Sequence, residues 1–185
     1  MTPNRLLKSD QSQTLGVKKG SMFSVRAFSP SDWPQVWSLL QETFVSGDTY
    51  AFDPESTEAE IHRAWIQTPQ RTYVAVAQNG EVVGTYILKP NQPGLGSHVC
   101  NCGYVVAGSS RGQGVAKQMC EHSQAVAKLL SFRAMQFNLV VSTNEGAVRL
   151  WQRLGFAIVG TIPEAFNHRT EGYVSAHVMH KALDA

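Results

Sequence analysis

The stretch Asn101–Met119, NCGYVVAGSSRGQGVAKQM, most constrains what this chain can fold into. Val105 and Val106 have strand character, Gly108, Ser109 and Ser110 interrupt it, and Ala116, Lys117, Gln118 and Met119 are good helix formers, so the order is strand, turn, helix. A helix opening exposes unpaired N–H groups and the positive end of a dipole, and glycines at 112 and 114 leave no side chain between those donors and a ligand. Arg111 adds a guanidinium fork. The combination suits a pyrophosphate, the dipole alone contributing about 0.3–1 kcal/mol per anion.

The segments on either side alternate in the same manner. Residues 1–21 are polar and predict a loosely ordered tail, leaving one domain over 22–185. Phe23–Phe28 alternates as a strand, and Ser29-Pro30-Ser31-Asp32 predicts a helix start with an apolar stripe of Trp33, Val36, Trp37, Leu40 and Phe44, which read as core. Thr57-Glu58-Ala59-Glu60 is a capping box for a second helix to about Gln67. Asn79-Gly80 predicts a hairpin between strands at 71–78 and 81–89, and His98–Val106 is a further strand. After the helix that follows Gly114, Ala134–Val141 reads as a strand and Thr143-Asn144 as the cap of a helix ending at Gly155. Phe156–Ile162 and Gly172–Leu183 complete the series as strands.

Composition narrows the function. At 185 residues and 43% hydrophobic content the chain can bury a core without staples, and its net charge of +2, with no basic cluster, argues against nucleic acid as a partner. Three cysteines close together do not make a disulfide framework, which fits a reducing, cytoplasmic setting. No signal-type or membrane-spanning apolar run is present in the sequence. His98, Cys100 and Cys102 share one strand face but lack a fourth ligand at zinc-like spacing, so no metal is expected.

Arg111-Gly112-Gln113-Gly114-Val115-Ala116 resembles the R/Q-x-x-G-x-G/A signature of GNAT N-acetyltransferases, and Asn144–Phe156 resembles their N-x-x-A-x-x-x-Y-x-x-x-G-F signature. The resemblance implies an α/β fold with a mostly antiparallel sheet of six to seven strands, a splayed strand pair and about four helices. It also implies acetyl-CoA as cosubstrate, with its pyrophosphate on Arg111–Lys117, its pantetheine arm along Tyr104, Val105 and Val106, and further contacts from Asn144, Ala147 and Trp151. Val106 would donate its backbone N–H to the thioester oxygen. Where the family usually has a Tyr acid this chain has Trp151, which cannot give up a proton usefully, so packing is the role left to it. KPNQPG, HVCNCGYVV, FNLVVSTN and RLWQRLGF-x-x-VG, between about Val82 and Gly160, look more narrowly like acetyltransferases of toxic proline analogues such as azetidine-2-carboxylate. That likeness implies a small-molecule amine acceptor, with Asn101 and Asn138 gripping a carboxylate or the reacting carbonyl. The alternative is that Asn101 marks a strand bulge and Asn138 satisfies backbone groups. Homodimers are common in this family.

The sequence leaves open the proton acceptor, the substrate contacts and two alternative functions. Glu42, His98 and Glu145 are candidate proton acceptors, and Asp48, Tyr50 and Asp53 candidate substrate contacts in the segment joining the first two helices. A catalytically weak acyl-CoA-binding protein is one alternative. Another is a serine hydrolase, because Gly108-Ser109-Ser110-Arg111-Gly112 fits G-x-S-x-G.

Overall fold

The computed structural model describes residues 22–183, so the expected tail lies outside the described residues. In chain order the elements are β1 (Phe23–Ala27), α1 (Trp33–Ser46), α2 (Glu58–His62), β2 (Arg71–Ala77), β3 (Val82–Pro90), β4 (Val99–Val106), α3 (Val115–Leu129), β5 (Ala134–Val141), α4 (Glu145–Arg153), β6 (Ala157–His168) and β7 (Gly172–Ala182). They form one seven-stranded sheet in the order β1-β2-β3-β4-β5-β7-β6, in which β4 and β5 alone run parallel.

Local chemistry sets the boundaries. Thr57 and Glu60 build the predicted capping box, the Thr57 backbone N–H donating to Glu60 Oε2 at 2.8 Å, and these bonds hold the Glu60 carboxyl below its ordinary pKa. The helix then runs through a π-turn to Gln67. Asn79-Gly80 turns the β2–β3 hairpin. Asn144 accepts from the Ala147 N–H at 3.2 Å to open α4.

Three expectations need correction. Asp32 lies in a 3-10 turn ahead of α1, its carboxylate accepting from the Ser29 N–H and gripped by the Arg26 guanidinium at 2.7 and 2.8 Å. Trp33 and Trp37 are half-buried rather than core, Trp33 donating to Glu58 on α2 at 2.7 Å. β6 extends to His168, six residues past Ile162. Pro163 and Glu164 interrupt the alternation, but the register steps from Ile162↔Ala176 to Phe166↔Val174, with Glu164 at φ +50°, and pairing resumes beyond that bulge.

Both sheet faces are covered. On one, Met119, Cys120 and Val126 of α3 and Trp151 of α4 pack on Tyr86, Leu88, Cys100, Cys102, Met135 and Phe137. On the other, Val36, Leu40 and Phe44 of α1 and Ile61 of α2 join Trp65 against Val74, Ile87 and Val105. Fully burying side chains of this kind contributes about 1.5–3 kcal/mol each. No described helix is long and apolar enough to cross a membrane.

Candidate active site

The centre of the sheet opens. β4 and β5 pair only at Val99↔Ala134, Cys100↔Met135 and Asn101↔Gln136, and past that rung the ladder stops, although β4 continues on β3 to Val106 and β5 on β7 to Val141. The Asn91 N–H bonds to Val99 O and the Ala107 N–H to Val83 O, which places the odd-numbered residues of β4 in the bonded positions toward β3. The backbone groups of Cys102, Tyr104 and Val106 therefore face the gap.

Side chains bridge the root of the gap. Asn101 donates from Nδ2 to Gln136 O at 2.9 Å, across the last paired rung. On β5, Asn138 and Leu139 form a bulge between Phe137↔Met179 and Val140↔His177, a device that re-aims side chains beside sites. Gln136 Nε2 donates to Asn138 Oδ1 at 2.9 Å, and Asn138 Nδ2 donates to Asn91 Oδ1 at 2.7 Å. Asn101, Gln136 and Asn138 thus form one polar strip on the α1 face of the sheet. Asn101 does meet a backbone carbonyl, but the bulge belongs to Asn138.

Two different walls flank the gap. On the α3 face, Arg111–Gly114 is exposed, with Gly112 at φ +77° and Gly114 at φ +85°, and a Cβ at either glycine would meet nothing within 4 Å. The first N–H groups of α3 therefore stand behind an open backbone turn, which Gln113 Nε2 braces by donating to Ser109 O at 2.9 Å. That cradle fits a pyrophosphate by shape and by donor set. Val115 is buried and Ala116 partly so beneath it, while Lys117 pairs with Glu121 at 2.7 Å. Below the gap the Tyr104 side chain points into the core, its hydroxyl 2.6 Å from Ser123 Oγ, and burial raises its pKa well above the ordinary value. Trp151 lies against Tyr104 at 5.1 Å and Phe137 at 5.2 Å between ring centroids, and so plugs the base of the gap.

On the α1 face the wall is made of side chains. Tyr50 donates from its hydroxyl to Tyr104 O at 3.0 Å, occupying one of the carbonyls that face the gap, and burial raises its pKa. Its hydroxyl stands 3.0 Å from where a Gly103 Cβ would be, so a side chain at 103 would press on it. Phe44, Phe52 and Trp65 surround the Tyr50 ring. Of the three candidate proton acceptors, Glu42 reaches the splayed end, with Oε1 3.4 Å from the Cβ position of Gly108. His98 lies at the paired end near Leu95 O, and Glu145 is bonded to Arg149 at 2.7 Å. Asp48 stands 3.7 Å from His168, while Asp53 accepts from the Glu55 N–H. The place of Tyr50 and Asp48 in the linker marks them as candidates, but their partners Tyr104 and His168 are distant in sequence and carry no local signal.

The hydrolase elbow is not built. Ser110 is buried in a 3-10 turn, and no hydrogen bond among the described residues joins its hydroxyl to an imidazole. An elbow serine needs that partner and an exposed Oγ.

A sequence model described as the Acetyltransferase (GNAT) family matches residues 33–156. The N-acetyltransferase aca1 of Schizosaccharomyces pombe is 34% identical over 148 residues, covering 71% of each chain. The solved structure of a GCN5-related N-acetyltransferase from Kribbella flavida superposes with a TM-score of 0.84 at 45% identity, over 88% of this chain and 98% of that one. A phosphinothricin acetyltransferase from Sinorhizobium meliloti, solved in complex with AcCoA, shares the fold at a TM-score of 0.79 and 16% identity, over 88% and 89% of the two chains.

Proposed function

The chain belongs to the GNAT acetyltransferase family and is an acetyl-CoA-dependent acyltransferase, and from that premise we propose that it acetylates the amine of a small molecule, an amino acid or proline-like analogue, by direct attack. The observation that carries the reading is the β4–β5 gap, with a bare glycine cradle on its α3 face and a polar strip on its α1 face. Donor and acceptor then enter from opposite faces and meet at the backbone of β4.

When bound, acetyl-CoA supplies an acetyl group activated as a thioester. The N–H groups behind Gly112 and Gly114, with Arg111, hold the pyrophosphate, and Gln113, Val115, Ala116 and Lys117 shape the turn around it. The open side of β4 from Tyr104 to Val106 lines the arm, and Asn144, Ala147 and Trp151 flank it from α4. The Val106 N–H donates to the thioester oxygen as negative charge develops there, a contribution of about 3 kcal/mol for such a donor. A simple ammonium has a pKa near 10, so the acceptor must lose a proton before attack, and Glu42 takes it directly or through water. As the new N–C bond forms the C–S bond breaks, and the departing thiolate takes up the second proton, which the acceptor nitrogen sheds on becoming an amide. With a thiol pKa of about 8.5 it needs no protein acid, consistent with Trp at position 151. Asn138, at the β5 bulge, orients the acceptor's carboxylate, and Asn101 acts at the root of the gap by fixing the Gln136 carbonyl beside it.

The test is thiol release from acetyl-CoA across a panel of proline analogues and small amino acids. Asn101→Ala and Asn138→Ala are expected to cut turnover while leaving acetyl-CoA affinity nearly intact. Unchanged turnover in both would remove these residues from the site. Tight cofactor binding with no turnover on any amine would leave an acyl-CoA-binding protein instead.

A further inference from the structure

Beneath the β4–β5 gap, on the α3 face, each strand sends one aromatic ring toward the other. Tyr104 of β4 and Phe137 of β5 meet edge to face at 5.8 Å between centroids, spanning strands that no longer pair at that level. Trp151 of α4 closes the triangle, 5.1 Å from Tyr104 and 5.2 Å from Phe137. Each ring is held in place. Phe156 stacks on Phe137 at 4.3 Å, the Tyr104 hydroxyl lies 2.6 Å from Ser123 Oγ on α3, and Phe137 and Trp151 are buried. Rings at these separations are in van der Waals contact, so no carbon fits between them. The root of the gap is bridged by the 2.9 Å bond from Asn101 Nδ2 to Gln136 O, which leaves the α1 side as its open face.

We propose that the Tyr104–Phe137–Trp151 triangle limits the length of the acyl group transferred, admitting acetyl and rejecting longer aliphatic chains. The inference rests on the reading that the thioester lies in the gap with the acceptor on its α1 side. An acetyl group ends at one methyl. Every further methylene has to press on the rings or project into the space the amine needs, and either slows transfer. A hydrophobic site that must accommodate one methylene too many loses about tenfold or more in kcat/KM.

The test is kcat/KM of the full chain for acetyl-, propionyl- and butyryl-CoA with one accepted amine, read as thiol release. The quantity compared is the propionyl-to-acetyl ratio within each protein, in which losses of stability, CoA affinity or proton transfer common to both donors cancel. The wild-type ratio is expected to be at most about one-tenth, with butyryl-CoA lower again. Trp151→Leu, which opens the triangle from α4, is expected to bring the ratio to within about threefold of unity, and Phe137→Leu, which removes less, to fall between. Thermal unfolding checks that each variant is folded, and Phe137→Leu decides if Trp151→Leu is not. A wild-type ratio near unity overturns the acyl limit without any variant, as does an unchanged ratio in the folded one. Acetyl-CoA that releases no thiol with any amine overturns instead the functional reading, and the acyl limit with it.

Discussion

On its α3 side the β4–β5 gap is bordered by exposed backbone, with Gly112 and Gly114 in left-handed turns and open space beyond both. On its α1 side it is lined by side chains, with Tyr50 on the Tyr104 carbonyl and Asn101 on the Gln136 carbonyl, and Arg169 of the β6–β7 hairpin bonds to Val45 at the end of α1. Under the proposed function, the difference follows from what each side would hold. A pyrophosphate is recognised by N–H groups that any sequence carries, provided side chains stay out of the way, so the α3 wall is legible from glycines and one helix start. An acceptor is recognised by side chains brought from separate elements, so the α1 wall depends on long-range packing.

The largest expected effect breaks the α3 wall. Gly112→Asp places a carboxylate in the cradle where there is room for it, and Asp tolerates positive φ better than most residues. Acetyl-CoA affinity, read by calorimetry, is expected to fall about 100-fold, equivalent to about 2.7 kcal/mol, with the fold intact. On the α1 wall, Tyr50→Phe removes one hydrogen bond and frees the Tyr104 carbonyl. kcat/KM is expected to fall about threefold to tenfold, with cofactor affinity unchanged.

A smaller effect concerns what anchors the α1 side of the sheet. Arg26 and the Ser29 N–H hold the Asp32 carboxyl below its usual range, with Arg26 the larger cause. The folded pKa is lowered, so its stabilisation is fully present above the unfolded value of about 3.9 and is lost as pH falls through the lower folded value. Asp32→Asn is expected to cost about 1 kcal/mol in urea unfolding at pH 7, discounted because Arg26 is half exposed, with the cost vanishing under strong acid. Least of all should change at the thiols beneath the α3 wall. Burial pushes Cys120 up to about 11 and Cys102 well above its ordinary value, so a thiol reagent at pH 7 is expected to label neither in the folded protein.

Much of the frame is visible in the chain itself. Asn79-Gly80, the Thr57–Glu60 box, Asn144 and Gly155 punctuate apolar periods that change from two to 3.6, and the resulting order of strands and helices is the observed one. What is not legible locally depends on partners far away. β6 continues past Pro163 because β7 is already there to pair with, and a bulge absorbs the misfit. Asn101 looks out of place in a strand until Gln136 O is found beside it. Gly47 ends α1 at φ +67°, and its contact with Arg169, more than a hundred residues on, leaves no local signal.

The central claim is that the cradle on the α3 face holds acetyl-CoA. A thermal-shift measurement with excess acetyl-CoA, beside buffer and a free adenine nucleotide, addresses it most directly. A ligand at 100 times its dissociation constant adds about 2.7 kcal/mol, which in a domain of this size raises the midpoint by roughly 5–10 °C. The account predicts a rise of that order with acetyl-CoA, exceeding the nucleotide's. No rise at millimolar acetyl-CoA would contradict it.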